Sequence, residues 1–126
     1  MTIKTEGPRN LAHILSEGNG SISRDVVVIA SGAGVLLPGT VLGKITASGK
    51  FTTSPEASTV TIEGAETATC VLAYGVDATS ADVDAVVTAR LAEMKGQQLT
   101  YDATVNDGTK IAAKATQLAA LDILVR

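Results

Sequence analysis

β-Branched runs cut by Gly and Pro turns, one late stretch with helical spacing, and a broken, weakly apolar beginning predict a mainly β fold with one short C-terminal helix (α+β). The expected organisation is a compact β-rich domain over 23–126 preceded by an extended N-terminal arm over 1–22. A length of 126 residues suits a single core. Hydrophobic residues make up 45% of the chain but aromatics only 2%, with no Trp, so Val, Leu, Ile and Ala must build that core. Each Val, Leu or Ile contributes about 1.5–3 kcal/mol when fully buried. A core this thin gains from burial shared between copies.

The arm is read from two breakers, Gly7-Pro8-Arg9-Asn10 and Gly18-Asn19-Gly20-Ser21, framing the apolar patch Leu11, Ala12, Ile14 and Leu15. So short and interrupted a span does not support a helix of its own, and such arms order on a partner by strand addition or by seating side chains in pockets. Val26-Val27-Val28-Ile29-Ala30 then reads as a buried strand. Pro38-Gly39 marks a turn, and residues 41–46 and 50–53 form a hairpin about Ala47-Ser48-Gly49. Residues 54–66 are rich in turn formers, with a short strand expected at Val60-Thr61-Ile62 and an exposed tip.

Alternation over 68–74 and 83–90 predicts paired central strands joined by a polar turn at 77–80, and 96–101 predicts another short strand. From Thr109, Ile111, Ala115, Leu118 and Ala119, with Asp122 as a further candidate, fall at spacings of three and four while Lys110 and Lys114 share another face, which predicts one short helix. Asp107-Gly108-Thr109 supplies capping chemistry, and Ile123-Leu124-Val125 predicts a last strand.

Composition weighs against several functions. A net charge of −3, ten scattered basic residues and isolated Phe51, Tyr74 and Tyr101 argue against nucleic-acid binding, which needs clustered Lys and Arg and stacking platforms. The apolar runs fall far short of the roughly 20 residues that span a bilayer, so no membrane partner is expected. The first residues lack a secretory h-region, which points to synthesis in a cytoplasm.

Candidates for chemistry are few. Cys70 is the one cysteine, set in an apolar run, and reads as a buried inert thiol. His13 is the one histidine, in a segment read as mobile, and is expected to face solvent or a partner. Asp82 and Asp84 would share a strand face, but no third ligand stands near them, so a solvated face is the expectation and neither metal nor cofactor is. The Gly-rich stretches at 34–40 and 39–44 lack the order of a phosphate loop and read as turns.

Three stretches in order and spacing then carry a family resemblance. They are Leu15-Ser16-Glu17-Gly18-Asn19-Gly20-Ser21-Ile22-Ser23-Arg24-Asp25, then Ala30-Ser31-Gly32 with Gly39-Thr40-Val41-Leu42-Gly43-Lys44-Ile45, and a terminal helix leading to Ile123-Leu124-Val125-Arg126. Together they resemble the head decoration proteins of tailed bacteriophages. The resemblance implies a non-enzymatic virion protein, a capsid decoration protein that forms homotrimers at local threefold positions on the outer surface of the phage head and stabilises the expanded, DNA-filled shell. It implies an arm that orders on the major capsid protein, which makes Ile3, Pro8, Leu11, Ile14 and Leu15 the capsid-binding candidates. Two other classes fit the size: a small trimeric β-barrel enzyme of nucleotide metabolism, and an adhesion or carbohydrate-binding module. The first lacks a basic cluster for a triphosphate, and the second lacks the aromatics of a sugar platform.

Overall fold

A computed structural model describes residues 7–19 and 22–126. Its centre is a closed five-stranded barrel formed by β2 (Arg24–Ile29), β5 (Phe51–Thr53), β4 (Val41–Lys44), β6 (Ala68–Leu72) and β8 (Val83–Thr88), in that order around the wall. Beside it lies a three-stranded sheet in the order β1 (Ile14–Glu17), β9 (Ala92–Met94), β10 (Ile123–Val125), while β3 (Gly34–Leu36) pairs with β7 (Val76–Ala78) as a separate ribbon. One helix, α1 (Gly108–Ala119), precedes β10.

The mainly β fold with a late helix is thus as the sequence predicts, and several elements match in detail. The β4–β5 hairpin pairs Leu42 with Thr53 and Lys44 with Phe51. Pro38 and Gly39 occupy the middle of a turn closed by the Thr40 amide donating to the Leu37 carbonyl, with Gly39 at φ +88°, where a Cβ would be strained. Asp107 caps α1 by accepting from the Lys110 amide at 2.9 Å.

Two apolar clusters fill the molecule. Inside the barrel, Ile29, Leu42, Cys70, Leu72, Ala85 and Val87 pack together. Outside it, Val41, Val71, Ala92, Met94, Leu118 and Ile123 fill the space shared by the wall, α1 and the three-stranded sheet. Strands β4 and β6 contribute to both clusters, which is why their sequences are almost continuously apolar. Strand β2 contributes to one. Its valine run was expected to be buried throughout, yet Val26 is 70% exposed and Val28 also faces out, because β2 has core on one side alone.

Other expectations are corrected. Val60–Ile62 is a single 3-10 turn, with Ile62 N–H donating to the Thr59 carbonyl and Val60 exposed. Gly96–Gln98 is likewise a 3-10 turn, and the strand there is the preceding Ala92–Met94. Part of the expected polar turn at 77–80 is strand β7.

The helix is turned differently from its apolar spacing. Lys114 and Leu118 are its buried residues, while Ile111 and Ala119 are exposed. The cause lies in the 54–66 loop, which packs so closely on β4 that a Cβ at Gly43 would lie 2.0 Å from the Ala65 carbonyl oxygen. That loop presents buried oxygens needing donors. The Lys114 ammonium meets them with three hydrogen bonds, to Ser54 Oγ (2.9 Å), the Pro55 carbonyl (2.6 Å) and the Glu66 carbonyl (2.5 Å). Pairing polar groups inside outweighs the apolar stripe in setting the helix's rotation.

Candidate functional site

The front segment lies along the body. Asn10 Oδ1 accepts from the Gly75 amide at 3.0 Å and the Leu11 amide donates to the Ala73 carbonyl at 3.2 Å. A turn follows, with Ile14 N–H donating to the Leu11 carbonyl, and the Lys95 amide donates to the His13 carbonyl at 2.7 Å. Strand β1 then runs antiparallel to β9, pairing Ile14 with Met94 and Glu17 with Ala92 around a bulge between Ile14 and Ser16. Leu11 sits at φ +64°, a left-handed conformation that costs a bulky side chain energy.

The capsid-binding candidates are therefore placed differently from one another. Pro8 is exposed, and Leu15 is 49% exposed on the outside of β1. Leu11 is half-buried, and Ile14 packs inward against the cluster around Met94. Ile3 lies outside the described residues. His13 departs from expectation: it is 1% exposed, enclosed between the front segment and the turn at Gly39. Burial lowers its pKa below the ordinary 6.5, against the opposing pull of the Glu17 carboxylate.

The Ser-Arg-Asp element secures the chain where the segment returns to the barrel. Ser23 is buried, its hydroxyl accepting from the Gly18 amide (2.8 Å) and donating to the Leu91 carbonyl (3.0 Å). Arg24 grips Glu17 with two parallel bonds of 2.8 and 2.6 Å and donates to the Tyr74 hydroxyl at 3.3 Å. The hydrogen bond from Arg24 holds the Glu17 carboxyl below the usual carboxylate range. Asp25 pairs with Arg90, which also donates to the Ile22 carbonyl at 2.7 Å. Between them, the three residues of the motif fix Glu17 and Gly18 and, through Arg90, the Ile22 carbonyl.

Between β1 and the start of β10, Gly18, Leu91, Glu93, Asp122 and Leu124 bound an open groove of about 450 Å³. Ile22, Leu91 and Leu124 are exposed there or close by. Sequence reading missed them because β9 was not expected, and without β9 nothing tells which side of Ile123–Val125 faces out. Their one sequence signal is the alternation Ile123-Leu124-Val125 itself.

Burial pushes the Cys70 thiol pKa up to about 12, which leaves it a protonated, packed side chain. Asp82 accepts from Lys50 Nζ (2.6 Å) and the Ser31 amide (2.8 Å), bonds that lower its pKa. Among the described residues no three His, Cys, Asp or Glu side chains converge to hold a metal ion, and no helix is long and apolar enough to cross a membrane. What the surface offers is a set of exposed apolar side chains carried on hydrogen-bonded strands, suited to contact.

Compared with known proteins, the sequence matches over residues 3–123 the family model described as bacteriophage lambda head decoration protein D. No curated protein matches it.

Proposed function

With the chain belonging to the head decoration protein family of lambda-type phages, a family of structural virion components, we propose that it works by contact alone, binding the outer surface of the phage capsid as homotrimers at local threefold positions and stabilising the expanded, DNA-filled head. The observation that carries this reading is the family match across nearly the whole chain. The β-rich fold supports it.

The partners are the major capsid protein and two further copies of this chain, with no nucleic acid, membrane or cofactor. A trimer bridging neighbouring capsomers resists outward pressure through many weak contacts engaged together. Preference for the expanded lattice stabilises that lattice by mass action. The arm, 1–22, carries the attachment. Pro8 and Leu15 offer apolar contact as they stand, Ile3 adds to them, and Leu11 and Ile14 join when the segment leaves the body. An arm pairing as an added strand contributes several backbone hydrogen bonds of about 0.5–1.5 kcal/mol each, so two or three are worth about one to three orders of magnitude in affinity.

The test is a titration of expanded, undecorated heads with full-length protein and with protein lacking 1–10. The truncated protein should melt nearly as the full chain does, since its described part loses few contacts with the body, while its occupancy of heads falls by tenfold or more. Equal occupancy would place attachment in the body. Electron microscopy of decorated heads should show threefold knobs, and monomers elsewhere on the lattice would overturn the arrangement.

A further inference from the structure

We propose that His13 is a proton-operated latch: with a neutral imidazole, residues 10–17 stay docked on the body, and protonation releases them. The ring is 1% exposed, and neither Nδ1 nor Nε2 has a hydrogen-bond partner among the described residues. The fit around it is tight. A Cβ at Gly39 would come within 3.4 Å of His13 Cγ and 2.7 Å of the Gln98 carbonyl oxygen. A neutral imidazole already buries one unpaired donor and one unpaired acceptor there. An imidazolium would bury two unpaired donors and a full charge, which is far more costly.

The charged groups on the surrounding elements do not remove that cost. Glu17, on the same segment, favours the imidazolium, but its carboxylate is already engaged by Arg24 and its pull is smaller than the effect of burial. Lys95, after β9, meets His13 through its backbone amide, which donates to the His13 carbonyl and not to the ring. The turn at Pro38 and Gly39 and the turn at Gly96–Gln98 contribute no charged side chain.

Release is local because the latch is small. It comprises the bond from Lys95 N–H to the His13 carbonyl, the bond from Leu11 N–H to the Ala73 carbonyl, the Asn10 contact, the short β1–β9 ladder with its Ser16–Glu93 bond, and the exposed-side Arg24–Glu17 pair, which must part with them. Leu11 is relieved of its positive φ when they part. The released imidazole titrates near 6.5 and the docked one lower. Between those two values the released state binds more protons, so the ratio of docked to released molecules falls by up to tenfold per pH unit as pH drops below 6.5. The latch stands on the structure of this chain. Its consequence, that release makes Leu11 and Ile14 available to a capsid, rests on the proposed function.

The experiment is NMR on the full-length protein without capsids, from pH 8 to 5. It follows the His13 ring protons together with exchange protection of the Leu11 and Lys95 amides, corrected for intrinsic exchange. His13 should titrate below 6.5, and protection at Leu11 and Lys95 should fall through the same window by up to tenfold per unit, while the β2–β8 ladder keeps its protection. In His13→Phe the Lys95 protection should no longer depend on pH in that window. A His13 midpoint at or above 6.5, or Lys95 protection unchanged through the His13 titration, overturns the proposal. Both readouts come from the unmodified chain, so they decide the matter even if the variant does not fold, and neither depends on whether the protein binds heads.

Discussion

The molecule buries a basic side chain at each of two seams, and the two are held by opposite means. Where the 54–66 loop meets α1, the Lys114 ammonium meets three oxygens with its three protons. Where the front segment meets the body, neither nitrogen of the His13 imidazole has a partner among the described residues. The first seam needs its charge, since removing the cation leaves the Pro55 and Glu66 carbonyls and Ser54 Oγ without the donor that Lys114 supplies. The second needs the absence of charge. Burial by itself therefore says little about whether a polar group stabilises a fold, and the partner atoms decide it.

The comparison is most severely tested at Lys114. Lys114→Met keeps most of the side chain's volume but leaves Ser54 Oγ and the Pro55 and Glu66 carbonyls without their donor, and should cost about 2–4 kcal/mol in urea unfolding. A variant as stable as the parent would show that the ammonium is incidental to this seam. A smaller loss is expected where the front segment is clamped from outside. Arg24→Ala breaks the paired bonds to Glu17, groups 30% and 19% exposed, and should cost about 1 kcal/mol, much of it felt as faster amide exchange along β1.

That pair has its own pH signature. Glu17 is held below its unfolded value of 4.5, so its contribution is present above pH 4.5 and lost as pH falls through the lower folded value. The His13 effect begins below 6.5 and the Glu17 effect below 4.5, so acid should loosen the front segment progressively, and Arg24→Ala should weaken the Glu17 contribution. Stability of parent and Arg24→Ala measured across pH 3–8 checks this: the variant's loss on acidification below 4.5 should be the smaller.

His13→Leu sharpens the contrast with Lys114 directly. It replaces a basic side chain with an apolar one, as Lys114→Met does, yet it removes an unsatisfied group and should change stability by less than about 1 kcal/mol near neutral pH. A loss comparable to that of Lys114→Met would mean that His13 has a partner after all. The smallest effect is expected on the outer barrel wall, where Val26→Thr should leave the free protein's stability within about 0.5 kcal/mol, since Val26 has no core to leave.

Much of the fold is legible because its signals are local. The Pro38 and Gly39 turn, the 47–49 hairpin turn and the Asp107 cap each depend on a few adjacent residues with restricted or hydrogen-bonding chemistry. The extended pairing of 68–72 with 83–88 follows from alternation and from a continuous apolar stretch. The candidate site is less legible. Leu15 and Pro8 were singled out and are exposed, but Ile14 turns inward because it pairs with Met94, in a strand whose three residues Ala-Glu-Met carry no strong β preference. Ile22, Leu91 and Leu124 went unnoticed for the same reason.

By itself, the sequence determined the class of fold, the place of the helix, the aliphatic core, the inert cysteine and the family to which the order of its short motifs pointed. All of these are set by composition or by residues within about ten positions of one another. Only the tertiary structure decided that the barrel closes, that Val26 and Val28 look outward, that Lys114 rather than Ile111 faces in, and that His13 is enclosed. Each of those turns on a partner distant along the chain, such as Ser54 for Lys114 or Gly39 and Lys95 for His13. A buried polar atom is stabilised by whichever group reaches it in space, and hydrophobic periodicity contains no record of where that group will be.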